Sequence, residues 1–336
     1  MWPMDWLSLH HQSMVVDAHC DVLTAMEVQN RRLNEAGKGG HVDLERLCRG
    51  GIDLLFMAAF IAPSYRERAV ARAMVLIDRF YSELEANGEE LMMVTCYEDI
   101  AAARAAGKMG VLLTIEGGEA LGGSLEVLRI LYRLGVRSIT LTWNGRNELA
   151  DGVAEEGTGG GLTRFGREVV REMNRLGMLV DVSHISEAGF WDVLKVSNRP
   201  VVATHANSRY ICDHRRNLSD EQIRALAAQG GVIGLCFYPP FVHPTQPSLS
   251  KLLDHLDHMV QVGGIGCVGI GSDFDGIEET IPELKDASCL PLLTEALYQR
   301  GYRAEEISAI LGGNFLRVLH QVLPAGRNNP RQCRMR

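Results

Sequence analysis

Between residues 14 and 276 the chain alternates short, almost unbroken apolar runs with longer amphipathic segments. The apolar runs are MVVDAH (14–19), GIDLLFMAAFI (51–61), GVLLTIEG (110–117), VRSITLTW (136–143), GMLVDVSH (177–184), PVVATHAN (200–207), GGVIGLCFY (230–238) and GCVGIGSDFDG (266–276). Near-continuous hydrophobicity, rather than strict alternation, is the mark of parallel strands covered on both faces.

The intervening segments read as helices. RERAVARAMVLIDRFYSELEANG is the longest, and Gly88 at its end suits a C-terminal stop. LEVLRILYRLG and LTRFGREVVREMNRLG also run into glycines, with the next strand following at once. SEAGFWDVL opens on a capping serine, Ser186, and Ser219 with Gln222 three residues on forms a capping box. No linker, low-complexity stretch or repeat divides the chain. Strand–helix alternation with eight strands therefore predicts an α/β fold, a single-domain (β/α)8 TIM barrel over residues 1–325. Helical segments after residue 288, including AEEISAILGGNFLRVLHQVL, are expected to close the last unit and cap the barrel. The locally basic residues 326–336 are expected to form a short fraying tail.

The length of 336 residues fits such a barrel, which takes ~250 residues plus insertions. A hydrophobic fraction of 46% and a charged fraction of 23% are those of an ordinary soluble globular protein. The net charge of -8, with no basic cluster or aromatic ladder, argues against a nucleic-acid partner. No apolar run approaches the ~20 residues of a membrane span. The opening MWPMDWLSLHHQSMVV lacks the plan of a secretory signal. Its tryptophans and leucines are expected to pack on the domain, and no membrane partner is expected. The 8 cysteines are scattered without CxxC spacing, which favours reduced thiols and a cytoplasmic protein.

Polar residues close several of the apolar runs. His19 and Asp21 follow the first, in VVDAHCDVL; two apart on a strand, they share a face, and Cys20 points away. Alone, such a pair is equally a metal half-site or a hydrogen-bonded pair closing a core. Glu116 ends the third run, His184 the fifth, His205 the sixth and Asp273 the eighth. Barrel chemistry collects at the C-terminal ends of strands, so these residues are expected at one mouth. A lone histidine or carboxylate there is usually a core or capping residue. Burying so many without partners would cost several kcal/mol apiece, about 2–7 each, and a shared cation removes that cost.

Three histidines with Asp and Glu suit Zn²⁺ and its divalent neighbours better than Ca²⁺ or Mg²⁺. Five donors exceed the needs of one catalytic zinc but suffice for two ions ~3.5–4 Å apart if a carboxylate bridges. Glu116 is the expected bridge, between a site of His19 and Asp21 and a site of His184 and His205. Asp273 then remains as proton carrier. Tyr65, beyond the second run, is placed to reach substrate from its loop. His255 and His258 stand one turn apart on a helix outside the barrel, so they read as structural or surface residues, with bonding to a neighbouring loop the alternative. Asp151 and Asp275 read as turn or capping residues.

With these residues in place the chain resembles the membrane dipeptidase (renal dipeptidase) family of the amidohydrolase superfamily. DAHCD (17–21), TIEGGEAL (114–121), LVDVSH (179–184), THANSRYICDHRRNLSD (204–220), HLDHMVQVGG (255–264), GIGSDFDGI (269–277) and GGNFLRVL (312–319) carry the resemblance in order and spacing. It implies a binuclear zinc barrel, with two Zn²⁺ per chain bridged by Glu116, that hydrolyses dipeptides, including those with a D-residue on the carboxyl side. Position by position, it implies the same metal ligands and catalytic Asp273, and it makes Arg216 the grip on the substrate carboxylate, a role suited to a guanidinium fork. A homodimer is the family habit.

One departure stands out. Better-studied members carry a carbonyl-polarising histidine after the fourth strand, where LTWNGRN has Trp143. Asn144 or Asn147 is then the candidate neutral donor, or the metal polarises the carbonyl unaided. The expected mechanism is attack of metal-activated hydroxide, with Asp273 moving the proton to the leaving amine. The competing readings are another amidohydrolase-type metal hydrolase, acting on a lactone or cyclic amide, and a catalytically impaired metal-binding homologue.

Overall fold

The computed structural model describes residues 5–326, so Trp2, Cys333 and the tail beyond Gly326 lie outside the described residues. All strands run parallel. They are β1 (Val16–Cys20), β2 (Leu54–Phe60), β3 (Leu91–Met93), β4 (Met109–Glu116), β5 (Ser138–Thr140), β6 (Leu179–Asp181), β7 (Val202–Ala203), β8 (Val232–Leu235) and β9 (Val268–Ile270). Pairing runs β2-β1-β9-β8-β7-β6-β5-β4, and β2 closes the ring on β4 from Leu54↔Gly110 to Phe60↔Glu116. Each of the eight predicted runs supplies one barrel strand. The unpredicted β3 pairs only with Met109–Val111 at the foot of β4, on an edge that β5 takes over from Thr114 onward.

Alternation along each strand divides the core. Leu55, Met57, Ala59, Val111, Leu113 and Ile115 face the surrounding helices, whereas Val16, Leu54, Phe56, Leu112, Leu179, Val202 and Val232 fill the base of the barrel. The C-terminal helix Asn314–Val322 plugs that base with Phe315, Val318 and Leu319, as the closing role expected of this segment requires. At the other terminus Asp5 caps the helix Trp6–Gln12, which buries Leu9 while Trp6 stays half-buried.

Local helix signals mostly act as read. Ser186 accepts from the Gly189 N–H, Ser219 and Gln222 cap each other's backbone, and Gly177 takes a left-handed φ of 77° at the end of its helix. Gly88 does not. The helix Ala69–Ala86 stops on Asn87, whose side-chain amide donates to the Glu83 carbonyl at 2.8 Å, and Gly88 is not left-handed.

Candidate metal centre

A bulge in β1 aims the first pair of residues. Asp17 pairs with Leu55 and Cys20 with Met57, so β1 uses one residue more than β2 over this interval. Val16 and Ala18 face the barrel interior; uninterrupted alternation would keep His19 and Asp21 out of it. The extra residue resets the parity, sending Cys20 into the outer core while His19 and Asp21 turn inward. Glu116 needs no such device, because it continues the inward face of Leu112 and Thr114.

The inward residues converge at the upper mouth. His19 Nε2 lies 3.2 Å from Asp21 Oδ2, 3.4 Å from Glu116 Oε2 and 3.8 Å from Asp273 Oδ1. His184 Nε2 lies 2.9 Å from Glu116 Oε1, and His205 Nε2 lies 3.8 Å from the same oxygen. The two Glu116 oxygens thus face different histidines. Three overlapping groups have ligand atoms within 4.8 Å of one another: His19–Asp21–Glu116, Glu116–His184–His205 and His19–His205–Asp273. All five expected ligands are buried, and Asp21 Oδ1 has no hydrogen-bond partner. A buried lone pair without a partner, beside nitrogens that converge on carboxylates, is what a divalent cation would satisfy.

Burial dominates the electrostatics. It pushes the Asp273 carboxyl up to about 7, with His19 opposing and Asp21 and Glu116 reinforcing the rise. It pushes Asp21 up to about 6. For Glu116 burial acts the same way, but His19 and His184 hold it well below the usual carboxylate range. His184 falls to about 4 through burial and the Arg216 charge, and His205 is depressed well below its ordinary value by burial, His19 and Arg216. Neutral His184 and His205 beside ionised Glu116 are the protonation states metal binding requires. His19, raised well above its ordinary value against its burial by Glu116 and Asp21, must give up a proton to bind a metal.

Arg216 is 4% exposed, and its Nη2 donates to the His205 carbonyl at 3.1 Å. Its Nε and Nη1 are buried without partners, so part of a guanidinium fork is left for an anion. Asp273 sits on a turn where it and Asp275 both take left-handed backbone, φ 66° and 64°. A strap from the 31–42 segment clamps this turn. Arg31 Nη2 donates to Asp275 Oδ2 at 2.6 Å, the His41 N–H donates to Oδ1 at 2.5 Å, and the Asp275 N–H donates to His41 Nδ1 at 3.0 Å. Asp275 is therefore a turn residue, as read, and also half of a buried ion pair. Only glycine fits at 276, where a Cβ would stand 2.2 Å from Asp21 Oδ2.

Trp143 lines the site, its ring 5.6 Å from that of Phe60. Asn144 Oδ1 accepts from His184 Nδ1 at 2.8 Å. Asn147 is consumed structurally: its amide donates to the Leu141 carbonyl and its Oδ1 accepts from the Leu149 and Ala150 N–H groups. Tyr65 is not brought to the site; its ring carries the Arg72 guanidinium at 4.4 Å, away from the cavity wall. His255 holds a loop, accepting from the Ser208 N–H and donating to the Val242 carbonyl, while His258 meets Asp220 at 2.8 Å. Asp151 pairs with Arg146 and accepts from Thr158.

A cavity of about 740 Å³ opens over the cluster, within the ~300–1,000 Å³ usual for small-molecule sites. Thr24, Tyr238, Phe241, His214 and Arg215 also line it, and none stood out in sequence. Tyr238 and Phe241 follow an apolar strand whose end carries no charged residue, which leaves no polar signal to mark them.

The profile of the family described as Membrane dipeptidase (Peptidase family M19) matches residues 5–332. The chain belongs to that family. As a membrane dipeptidase family member it is a metallo-dipeptidase, a hydrolase acting on peptide bonds. Among family relatives it is 35% identical to Dipeptidase verJ of Clonostachys rogersoniana over 294 residues, covering 84% of this chain and 76% of that one. It is 34% identical to the uncharacterized dipeptidase C965.12 of Schizosaccharomyces pombe over 330 residues, covering 90% and 79%. The crystal structure of a metallo peptidase from Rhodobacter sphaeroides, liganded with a phosphinate mimic of the dipeptide L-Ala-D-Ala, superposes with a TM-score of 0.84 at 27% identity. That match covers 92% of this chain and 99% of the other. No helix among the described residues of this family member is long and apolar enough to cross a membrane.

Proposed function

We propose that this metallo-dipeptidase hydrolyses dipeptides, including L-Xaa-D-Xaa dipeptides, at two zinc ions bridged by Glu116. One observation carries the reading: Glu116 turns Oε2 towards His19, which itself meets Asp21, and Oε1 towards His184 and His205, so each oxygen faces a different ligand pair. Five N and O donors in this arrangement suit zinc. The phosphinate dipeptide mimic in the Rhodobacter relative supports the substrate class.

When bound, the two cations supply an acidified water as nucleophile and positive charge at the scissile carbonyl. The side chains do the rest. Asp273, 3.8 Å from His19 at the cluster's edge, takes the proton from the attacking water and delivers it to the leaving amine. Arg216 offers Nε and Nη1 to the terminal carboxylate, which limits substrates to two residues. Trp143 supplies no cationic donor and Asn147 is committed to backbone groups, but Asn144 spends only its Oδ1 on His184, so its amide N–H groups are left as the neutral donor to the carbonyl. The free thiols of the seven described cysteines support a reducing compartment such as the cytoplasm.

The test is amine release from a panel of L,L- and L,D-dipeptides by zinc-loaded protein, alongside the dipeptide amides. Turnover of free dipeptides, much weaker with amides and abolished by chelator, is expected. Full zinc loading with no turnover of any dipeptide would leave the impaired metal-binding homologue; turnover of lactones instead would favour the other hydrolase.

A further inference from the structure

Beneath the metal ligands the barrel interior carries a polar layer that the reaction does not use. Asp181 is the last residue of β6 and has the same parity as Leu179, so its carboxylate points into the barrel rather than towards the helices. It is 1% exposed, yet no cation pairs with it among the described residues. Instead five donors surround it. Oδ2 accepts from the Thr140 hydroxyl at 2.5 Å and the Thr204 hydroxyl at 2.6 Å; Oδ1 accepts from the Ser183 hydroxyl at 2.6 Å and from the Ser183 and Thr204 N–H groups, each at 3.0 Å.

This crowding fixes the direction of each hydrogen bond. An ionised carboxylate only accepts, so the proton of Thr204 is committed to Asp181. The Ser183 proton is committed in the same way, leaving its 3.1 Å contact with Thr204 Oγ1 without a donor of its own. Thr204 Oγ1 also lies 3.0 Å from His205 Nδ1, and at that contact it can only accept. His205 must then carry its proton on Nδ1, which leaves the Nε2 lone pair bare and aimed at the cluster. His184 is held differently, by the neutral amide oxygen of Asn144.

We propose that Asp181 is a positioning residue that acts through the Thr204 hydroxyl to fix the tautomer and ring orientation of His205, so that Nε2 is the atom presented to a metal ion. The inference rests on the two-cation reading above and adds a dedicated relay, carboxylate to hydroxyl to imidazole, beneath one of the two ions. Outer partners of ligating histidines commonly contribute ~10–100-fold to metal affinity. The relay also gives a role to a carboxylate at the end of an apolar strand that makes no direct ion pair among the described residues.

The experiment is zinc binding by competition with a chromophoric chelator, on wild type, Thr204→Val, Thr204→Ser and Asp181→Asn, with the cobalt-substituted spectra recorded in parallel. Wild type is expected to hold two ions. Thr204→Val keeps the shape but removes the hydroxyl, and one of the two ions should then bind ~10–100-fold more weakly, with a changed cobalt spectrum. Thr204→Ser should restore both. Asp181→Asn should resemble Thr204→Val in metal affinity. Melting of the metal-free forms identifies any variant that fails to fold, and the Val/Ser comparison decides the matter without Asp181→Asn. Two ions bound by Thr204→Val with unchanged affinity would overturn the relay. A wild type that binds fewer than two ions would instead overturn the binuclear reading on which the relay rests.

Discussion

The Nε2 atoms of His184 and His205 lie 2.8 Å apart. Each ring has another partner at Nδ1, Asn144 for His184 and Thr204 for His205. Where both Nδ1 atoms carry protons, two nitrogen lone pairs face one another in a buried site, and that repulsion is relieved by a cation between or beside them. Removing metal should therefore lower stability as well as abolish activity. A ligand present at about 1,000 times its Kd stabilises the folded state by roughly 4 kcal/mol. Thermal unfolding with chelator, and again after zinc is restored, should show a lower midpoint that recovers. A midpoint insensitive to both treatments would mean the cluster is a hydrogen-bonded core.

Asp273→Asn should separate metal binding from proton transfer. The amide cannot accept and deliver the proton, and a positioned acid–base group typically contributes ~10²–10⁴-fold to rate. Both ions should remain, because Asp273 is placed as the proton carrier and not among the five ligands. In wild type, burial raises this carboxyl to about 7, and zinc would draw it back down. Since the base form is required, kcat/KM should fall as pH drops through its pKa. Near-normal turnover by the asparagine variant would refute the role.

For Arg216 the discriminating change is to lysine. The charge is kept while the fork is lost, so binding of a terminal carboxylate should weaken although the site stays cationic. KM for dipeptides should rise by ~10-fold or more, since a hydrogen bond to a charged group is worth about 1.5–3 kcal/mol. Dipeptide amides, already lacking that carboxylate, should be little affected. Equal losses for both would place Arg216 in the architecture of the barrel and not in substrate recognition.

The parts of this molecule visible in its sequence are those set by local pattern. Eight runs of apolar residues gave eight barrel strands, and Ser186 and Ser219 cap where their neighbours say they should. The β1 bulge was not visible, because it depends on pairing with β2; alternation predicts that His19 and Asp21 share a face but not that this face joins Val16 and Ala18 inside the barrel. The three residues of β3 are too few to carry a period. Arg31 had no local signal, since its partner Asp275 lies 244 residues away. Asp181 did have one: a carboxylate two positions after Leu179 in an apolar strand already points where Leu179 points.

The Arg31–Asp275 pair gives a stability prediction that is independent of metal chemistry. Both side chains are buried, at 1% and 0% exposure, and Arg31 also donates to the Val42 carbonyl. Truncation to Arg31→Ala strands a buried carboxylate, which typically costs about 3–5 kcal/mol. Urea unfolding should show a midpoint lowered accordingly. Because Asp275 closes the turn that carries Asp273, the folded fraction of the variant should also turn over more slowly. An unchanged midpoint would show that water reaches the pair and screens it.

His255 should make the fold sensitive to acid well away from the metal centre. Burial lowers its pKa to about 4 from an ordinary 6.5, against the opposing effect of its bond to the Val242 carbonyl. Between those two values the unfolded chain binds a proton that the folded chain refuses. Stability then rises with pH across the window, by about 1.4 kcal/mol per unit, and is fully present above pH 6.5. As pH falls through the window it is lost, to a total of roughly 3 kcal/mol. His255→Gln can still donate to Val242 and accept from Ser208 while having nothing to protonate. Denaturant unfolding of metal-free wild type and variant at several pH values isolates the contribution, since other buried histidines are common to both. The wild-type slope should exceed that of the variant by close to one proton; parallel slopes would show that His255 titrates normally and that its burial costs nothing in acid.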